Sequence, residues 1–129
     1  MTDEERRRLD TLWRPTLVEV DGATYVCGAG NPPPIGSAFV WLTSDEPDGQ
    51  PLPREATERR RTELREELDA LGWAHTEAPT ASPDGTHSEL GVAVRGVARE
   101  DVIALARAFD QLAVFVVDAD GAMDIAWCV

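Results

Sequence analysis

Residues 97–117 read VAREDVIALARAFDQLAVFVV, and this stretch decides the fold. Between Arg99 and Asp110 the apolar residues Val102, Leu105, Ala106 and Phe109 recur at the spacing of one helix face. With no linker the pattern gives way to an unbroken apolar run, Leu112 to Val117, as expected of a strand covered on both faces. The spacing predicts a helix over 99–110 and a strand over 112–117. A helix that hands the chain directly to a buried strand is the centre of an α/β sandwich.

Upstream, LGVAVRGV (90–97) reads as a strand whose glycines, Gly91 and Gly96, suggest a bulge or a close backbone approach. PTASPDGTHS (79–88) reads as a polar loop, and WAHTEA (73–78) as an edge strand. A long helix is predicted over about 54–71. Leu64, Leu68 and Leu71 share one face, Pro53 suits its first turn, Glu55 and Arg59 form a favourable pair, and Gly72 stops it. The arginine run 59–61 reads as a solvated face. Before the loop SDEPDGQPLP, AFVWLT (38–43) reads as a central strand.

Farther out, TLVEV and ATYVC flank Asp21-Gly22, a dipeptide suited to a type I′ turn, and predict a hairpin of strands 16–20 and 23–27. GAGNPPPIGS fits no regular element. Residues 1–12 read as a turn or two of polar helix, or a frayed end, leading to Trp13. Downstream, Asp118–Gly121 turns the chain into MDIAWCV, where Met123, Ile125, Trp127 and Val129 alternate inward.

The order β β β α β β α β β contains, over 38–117, the ferredoxin-like pattern βαββαβ. The expected fold is an α+β two-layer sandwich, an antiparallel sheet with two helices on one face and an added hairpin at each end. It forms a single domain over 1–129. Such a sheet leaves one face without helices, and Tyr25, Phe39, Trp41 and Trp127 are candidates to cover it or to form a homodimer there.

The chain of 129 residues carries a net charge of −12, and all twelve basic residues are arginine. The charge argues against phosphate-mediated nucleic-acid binding, and the absence of lysine removes Schiff-base chemistry. Residues 16–53 hold acids and no base, so the excess lies in strands and loops rather than the long helix. This suits solubility, or an acidic face for a basic partner. No apolar run reaches the length of a membrane span, and the charged start is unlike a secretory signal. Cys27 and Cys128 are expected as free thiols, and the protein is expected to be cytoplasmic.

The segments FVWLTSDEP (39–47), ELG (89–91) and DQLA (110–113) together resemble a bacterial family, domain of unknown function family 3293. The match is at Thr43 and Pro47, at Glu89, and at Gln111 and Ala113, with Glu46 standing where the family carries asparagine. The likeness spans nearly all of the chain from about residue 16. The proline-rich segment before Phe39 departs from it, being too short for the helix usual there. The resemblance implies the fold; no activity comes with it.

Thr43, Glu46, Glu89 and Gln111 all fall at strand or helix ends, where open sheets place ligands, and they are the expected binding residues. Glu46 with Glu89 forms a carboxylate pair able to divide into acid and base. Gln111 is suited to answering exposed carbonyls or a ligand. No catalytic set is named. A facial triad of His75, His87 and Glu89 can be written, but neither histidine has zinc-site spacing, and no metal or cofactor is expected. DEPDG and DADG each resemble the start of a calcium loop but lack its closing glutamate.

The leading expectation is a small acidic, non-catalytic binding module for a basic partner protein or small ligand. The alternative is a small enzyme or auxiliary protein of small-molecule metabolism using Glu89, Glu46 and Gln111. Weaker still is an immunity or antitoxin protein.

Overall fold

Thr2 caps the first helix by accepting from the Glu5 amide, and α1 runs Asp3–Trp13 with three acids at its N-terminal end, where the helix dipole favours them. The computed structural model describes residues 1–129. After α1 come β1 (Leu17–Val20), β2 (Ala23–Tyr25), β3 (Phe39–Thr43), α2 (Arg54–Leu71), β4 (Ala74–Ala81), β5 (Ser88–Arg95), α3 (Arg99–Ala108), β6 (Ala113–Val117) and β7 (Met123–Trp127). Asp21 and Gly22 both take positive φ in the first hairpin, as a type I′ turn requires.

The strands form one sheet in the order β2-β1-β4-β5-β3-β6-β7, with every pairing antiparallel. The protein is therefore α+β, with three helices and a strongly curled, half-barrel sheet. Period-two side-chain alternation sorts the apolar residues into two cores. On one face Val40, Leu42, Val92, Val94 and Val114 pack against Leu64 and Leu68 of α2 and Val102 and Ala106 of α3. On the other, Val18, Val20, Tyr25, Phe39, Trp41, Phe115, Val117, Met123 and Ile125 pack against one another.

That second core decides between the two expectations for the helix-free face, which its own aromatic residues cover. The helix-free face is not open: curling wraps it around its own side chains, leaving Tyr25, Phe39 and Trp41 at most 4% exposed. The two sheet edges meet where Gly28 and Met123 exchange backbone hydrogen bonds at 2.9 and 3.1 Å. A homodimer through an open sheet face therefore has no such face to use. The remaining gap is covered by α1, whose Trp13 packs on Trp127 at 5.8 Å and whose Arg6 lies over the same ring.

Other differences are local. The strand expected to lie at an edge, β4, sits between β1 and β5, and it continues through Pro79 to Ala81 where a loop was expected. Pro79 is exposed while Ala78 and Thr80 are buried, so the alternation persists through the proline. β7 is covered on both faces: Met123 and Ile125 enter one core, Ala126 and Cys128 the other, and Val129 is exposed. Leu71 is also exposed. The expected Glu55–Arg59 pair gives way to Arg54–Glu58 at 3.0 Å.

Gly91 bears out the close approach suggested for it. A β-carbon there would lie 2.5 Å from both the Leu42 carbonyl and the Trp41 ring. Trp41 is held in place as its Nε1 donates to the Ala78 carbonyl at 2.9 Å. The proline-rich connection is a plain strap. Asn31 donates to the carbonyls of Val26 and Gly121, each at 2.8 Å, tying the strap to the β6–β7 turn. No helix of the chain is long and apolar enough to cross a membrane.

Candidate functional site

Antiparallel pairing of β3 with β5 sets Thr43 opposite Gly91, so the loop leaving β3 meets the start of β5 at one end of the sheet. That loop is braced from several sides. The Thr43 hydroxyl donates to the Leu90 carbonyl at 2.8 Å and accepts from the Asp45 amide at 3.1 Å. Gln111 Nε2 donates to the Asp45 carbonyl at 2.9 Å and to the Phe109 carbonyl at 3.2 Å. Arg60 Nε donates to the Ser44 carbonyl, and the Asp48 amide to the Asp110 carbonyl. These contacts satisfy backbone groups that burial would otherwise leave unpaired.

Within this brace Asp45 is an almost fully buried carboxylate, its side chain 4% exposed. Arg61 neutralises it in a forked contact, Nε to Oδ1 at 2.8 Å and Nη2 to Oδ2 at 2.6 Å, while Oδ2 also accepts from the Leu90 amide. Such two-point geometry is the strong form of a charge-assisted bond.

Glu46, the next residue, turns away. Its φ of 47° places it in the left-handed region, and a short turn over Pro47–Gly49 follows. Glu89 approaches from β5, held by mutual backbone contacts with the Thr80 hydroxyl. His87 ends the β4–β5 hairpin. That hairpin is fixed because Asp84 accepts from Ser82 and from the Thr86 amide and hydroxyl, bonds that hold its carboxyl down to about 2. His87 Nε2 lies 3.0 Å from a Glu46 oxygen and 3.9 Å from a Glu89 oxygen. Donor atoms of all three residues fall within 4.8 Å of one another. Burial, then the nearby carboxylates of Glu46 and Asp45, push Glu89 up to about 8.

The four expected binding residues therefore gather at one corner but divide in role. The Thr43 hydroxyl and Gln111 Nε2 are engaged by backbone groups, which makes both residues part of the brace. The carboxyl groups of Glu46 and Glu89 face the corner itself. The triad of His75, His87 and Glu89 does not form, because His75 lies beside Asp69 at 3.5 Å and contacts the Trp73 carbonyl. Glu46 takes its place. The DADG segment is a turn in which Asp118 accepts from the Asp120 and Ala122 amides. Burial pushes Cys27 and Cys128 up to about 11, and the charged groups acting on Cys27 are Arg14, Asp124 and Asp10.

Asp45, Arg60 and Arg61 were missed as participants. The arginines were read as a solvated face, yet Arg60 and Arg61 stand four and three residues before buried Leu64. That spacing on the inward face was the available signal.

A cleft of about 710 Å³ lies at the opposite strand ends, between Phe39, Val94, Arg99 and Met123. Its Arg14 is already paired with Asp10 and Asp124.

The profile of a family described as Protein of unknown function (DUF3293) matches residues 42–114, more than half of the chain. The chain belongs to the DUF3293 family. The matched span contains every residue of the corner: Thr43, Asp45, Glu46, Arg61, His87, Glu89 and Gln111. Neither a curated protein nor a solved structure matches this DUF3293 member.

Proposed function

We propose that the protein is a binding module that receives a positively charged group, from a partner protein or a small ligand, at the corner formed by Glu46, His87 and Glu89. The observation that carries this reading is the convergence of two carboxyl groups from separate elements beside His87, with no arginine pairing either of them. Arg61, the nearest, is engaged by Asp45. The net charge of −12 supports it, because a strongly negative surface raises the local concentration of cationic partners. The side chains of Glu46 and Glu89 are 26% and 23% exposed, accessible yet partly shielded from solvent.

The inner part of the fold we read as a ferredoxin-like core, supported by the order β4-β5-β3-β6 and by the packing of α2 and α3 in one shared core. A cytoplasmic setting is consistent with two unbridged cysteines.

The test is titration of ¹⁵N-labelled protein, kept in chelator, with agmatine, arginine methyl ester and spermidine. Amide shifts should concentrate at 45–47 and 86–90, weaken with added salt, and vanish in the Glu46→Gln/Glu89→Gln variant. Shifts spread evenly over all acidic residues, or absent altogether, would sink the reading.

A further inference from the structure

We propose that this corner is a site for a first-row divalent transition cation of the Zn²⁺, Mn²⁺ or Fe²⁺ class, held by His87 Nε2 and one oxygen each of Glu46 and Glu89. The inference rests on reading the corner as a cation receiver, and it names the cation.

Three features carry it. The donor set is mixed, one imidazole and two carboxylates. An imidazole favours first-row transition ions over Ca²⁺ and Mg²⁺, which prefer oxygen alone.

The spacing also fits. Ligands bound at about 2.1 Å stand about 3.0 Å apart at right angles and about 3.4 Å apart at the tetrahedral angle. His87 Nε2 already lies 3.0 Å from Glu46 and 3.9 Å from Glu89, so gathering the set takes side-chain movement on the order of an ångström. The three donors come from separately anchored backbone: the loop pinned by Arg60 and Gln111, the Asp84-clamped hairpin, and strand β5.

The third feature is charge. The groups facing one another here are Asp45, Glu46, Glu89, Arg61 and His87. Once Asp45 and Arg61 cancel, the carboxyl groups of Glu46 and Glu89 remain facing His87 with no fixed cation among them. A divalent ion balances them without disturbing the buried pair. His87 is 56% exposed, so water or a ligand can complete the coordination on the outer side.

The experiment is isothermal titration of the full-length, chelator-treated chain with Zn²⁺ and Mn²⁺, with Co²⁺ absorption reporting coordination. One equivalent should bind saturably, and His87→Ala and Glu89→Gln should each weaken it by more than about tenfold. His75→Ala, at a histidine outside the cluster, should leave it unchanged. Circular dichroism confirms that the variants fold. Absence of saturable binding, or equal affinity in wild type and both corner variants, overturns the proposal. The organic-cation titration separates the two readings. Shifts at the corner without metal binding remove only the metal, and absence of both removes the corner as a receiver.

Discussion

Asp45 and Glu46 are consecutive residues, yet the structure treats their carboxylates in opposite ways. Asp45 points inward, is nearly fully buried, and is gripped by Arg61 and the Leu90 amide. Glu46, one residue on and in the left-handed region, points to the half-open corner where its neighbours are another carboxylate and a histidine. The difference teaches what each charge is for. A buried carboxylate with a forked arginine partner has its charge answered within the fold. Two carboxyl groups converging without a fixed cation oppose each other's ionisation, which with burial is why Glu89 is pushed up to about 8, and a bound positive group favours the charged form of both.

The comparison breaks most severely at Arg61. Arg61→Ala leaves Asp45 buried and unpaired, a loss of about 3 kcal/mol, the lower end for a broken buried pair because Arg61 is itself 30% exposed. Urea denaturation measures it, and pairing the change with Asp45→Asn should recover part of the loss. Next in size is Gln111→Ala, which removes donors to the Asp45 and Phe109 carbonyls and should cost about 1–3 kcal/mol. A wild-type melting temperature for that variant would return Gln111 to the ligand-facing set.

The other side of the comparison predicts a different response. Above pH 8, where Glu89 is ionised, Glu46→Gln and Glu89→Gln in chelator should leave stability within about 1 kcal/mol of wild type or raise it slightly, because each relieves a like-charge contact. Thermal melts check this, and a large loss from either would make that residue part of the brace.

The thiols sharpen the contrast by isolating burial as the leading influence. Burial favours the neutral thiol and raises Cys27 and Cys128 from 9.0 to about 11. Their contribution to stability is therefore complete below pH 9 and lost as pH rises toward 11. At pH 8 the thiolate should be about 100-fold scarcer than in the unfolded chain. Reaction with a disulfide reagent should be correspondingly slow until the protein is denatured. Fast reaction in the native state would show that one of these sites opens.

Much of the fold was legible because its signals are local. The Val102–Ala106 face, the Asp21-Gly22 turn, the Gly72 stop and the apolar run ending at Val117 each depend on a few neighbouring residues. β4 beyond Ala78 was not legible: Pro79 and Thr80 have loop composition, and their place in a strand is set by partners on β5 and β1. The corner was half legible. Glu46 and Glu89 stood out by type and position, whereas His87 could be tied to Glu89 but not to Glu46. Arg61 was hidden within a helix surface rich in charges of both signs.

By itself, then, the sequence determined the kinds of element, their order, the acidic balance and the polar residues at strand ends, since propensity, periodicity and charge belong to short windows. Only the tertiary structure decided that the sheet curls until Gly28 reaches Met123, and that Asp45 is answered by Arg61 while Glu46 is left to meet His87 and Glu89. Those outcomes depend on strand pairing and twist between residues far apart in the chain, where a small difference in register or backbone angle decides which of two adjacent carboxylates is buried.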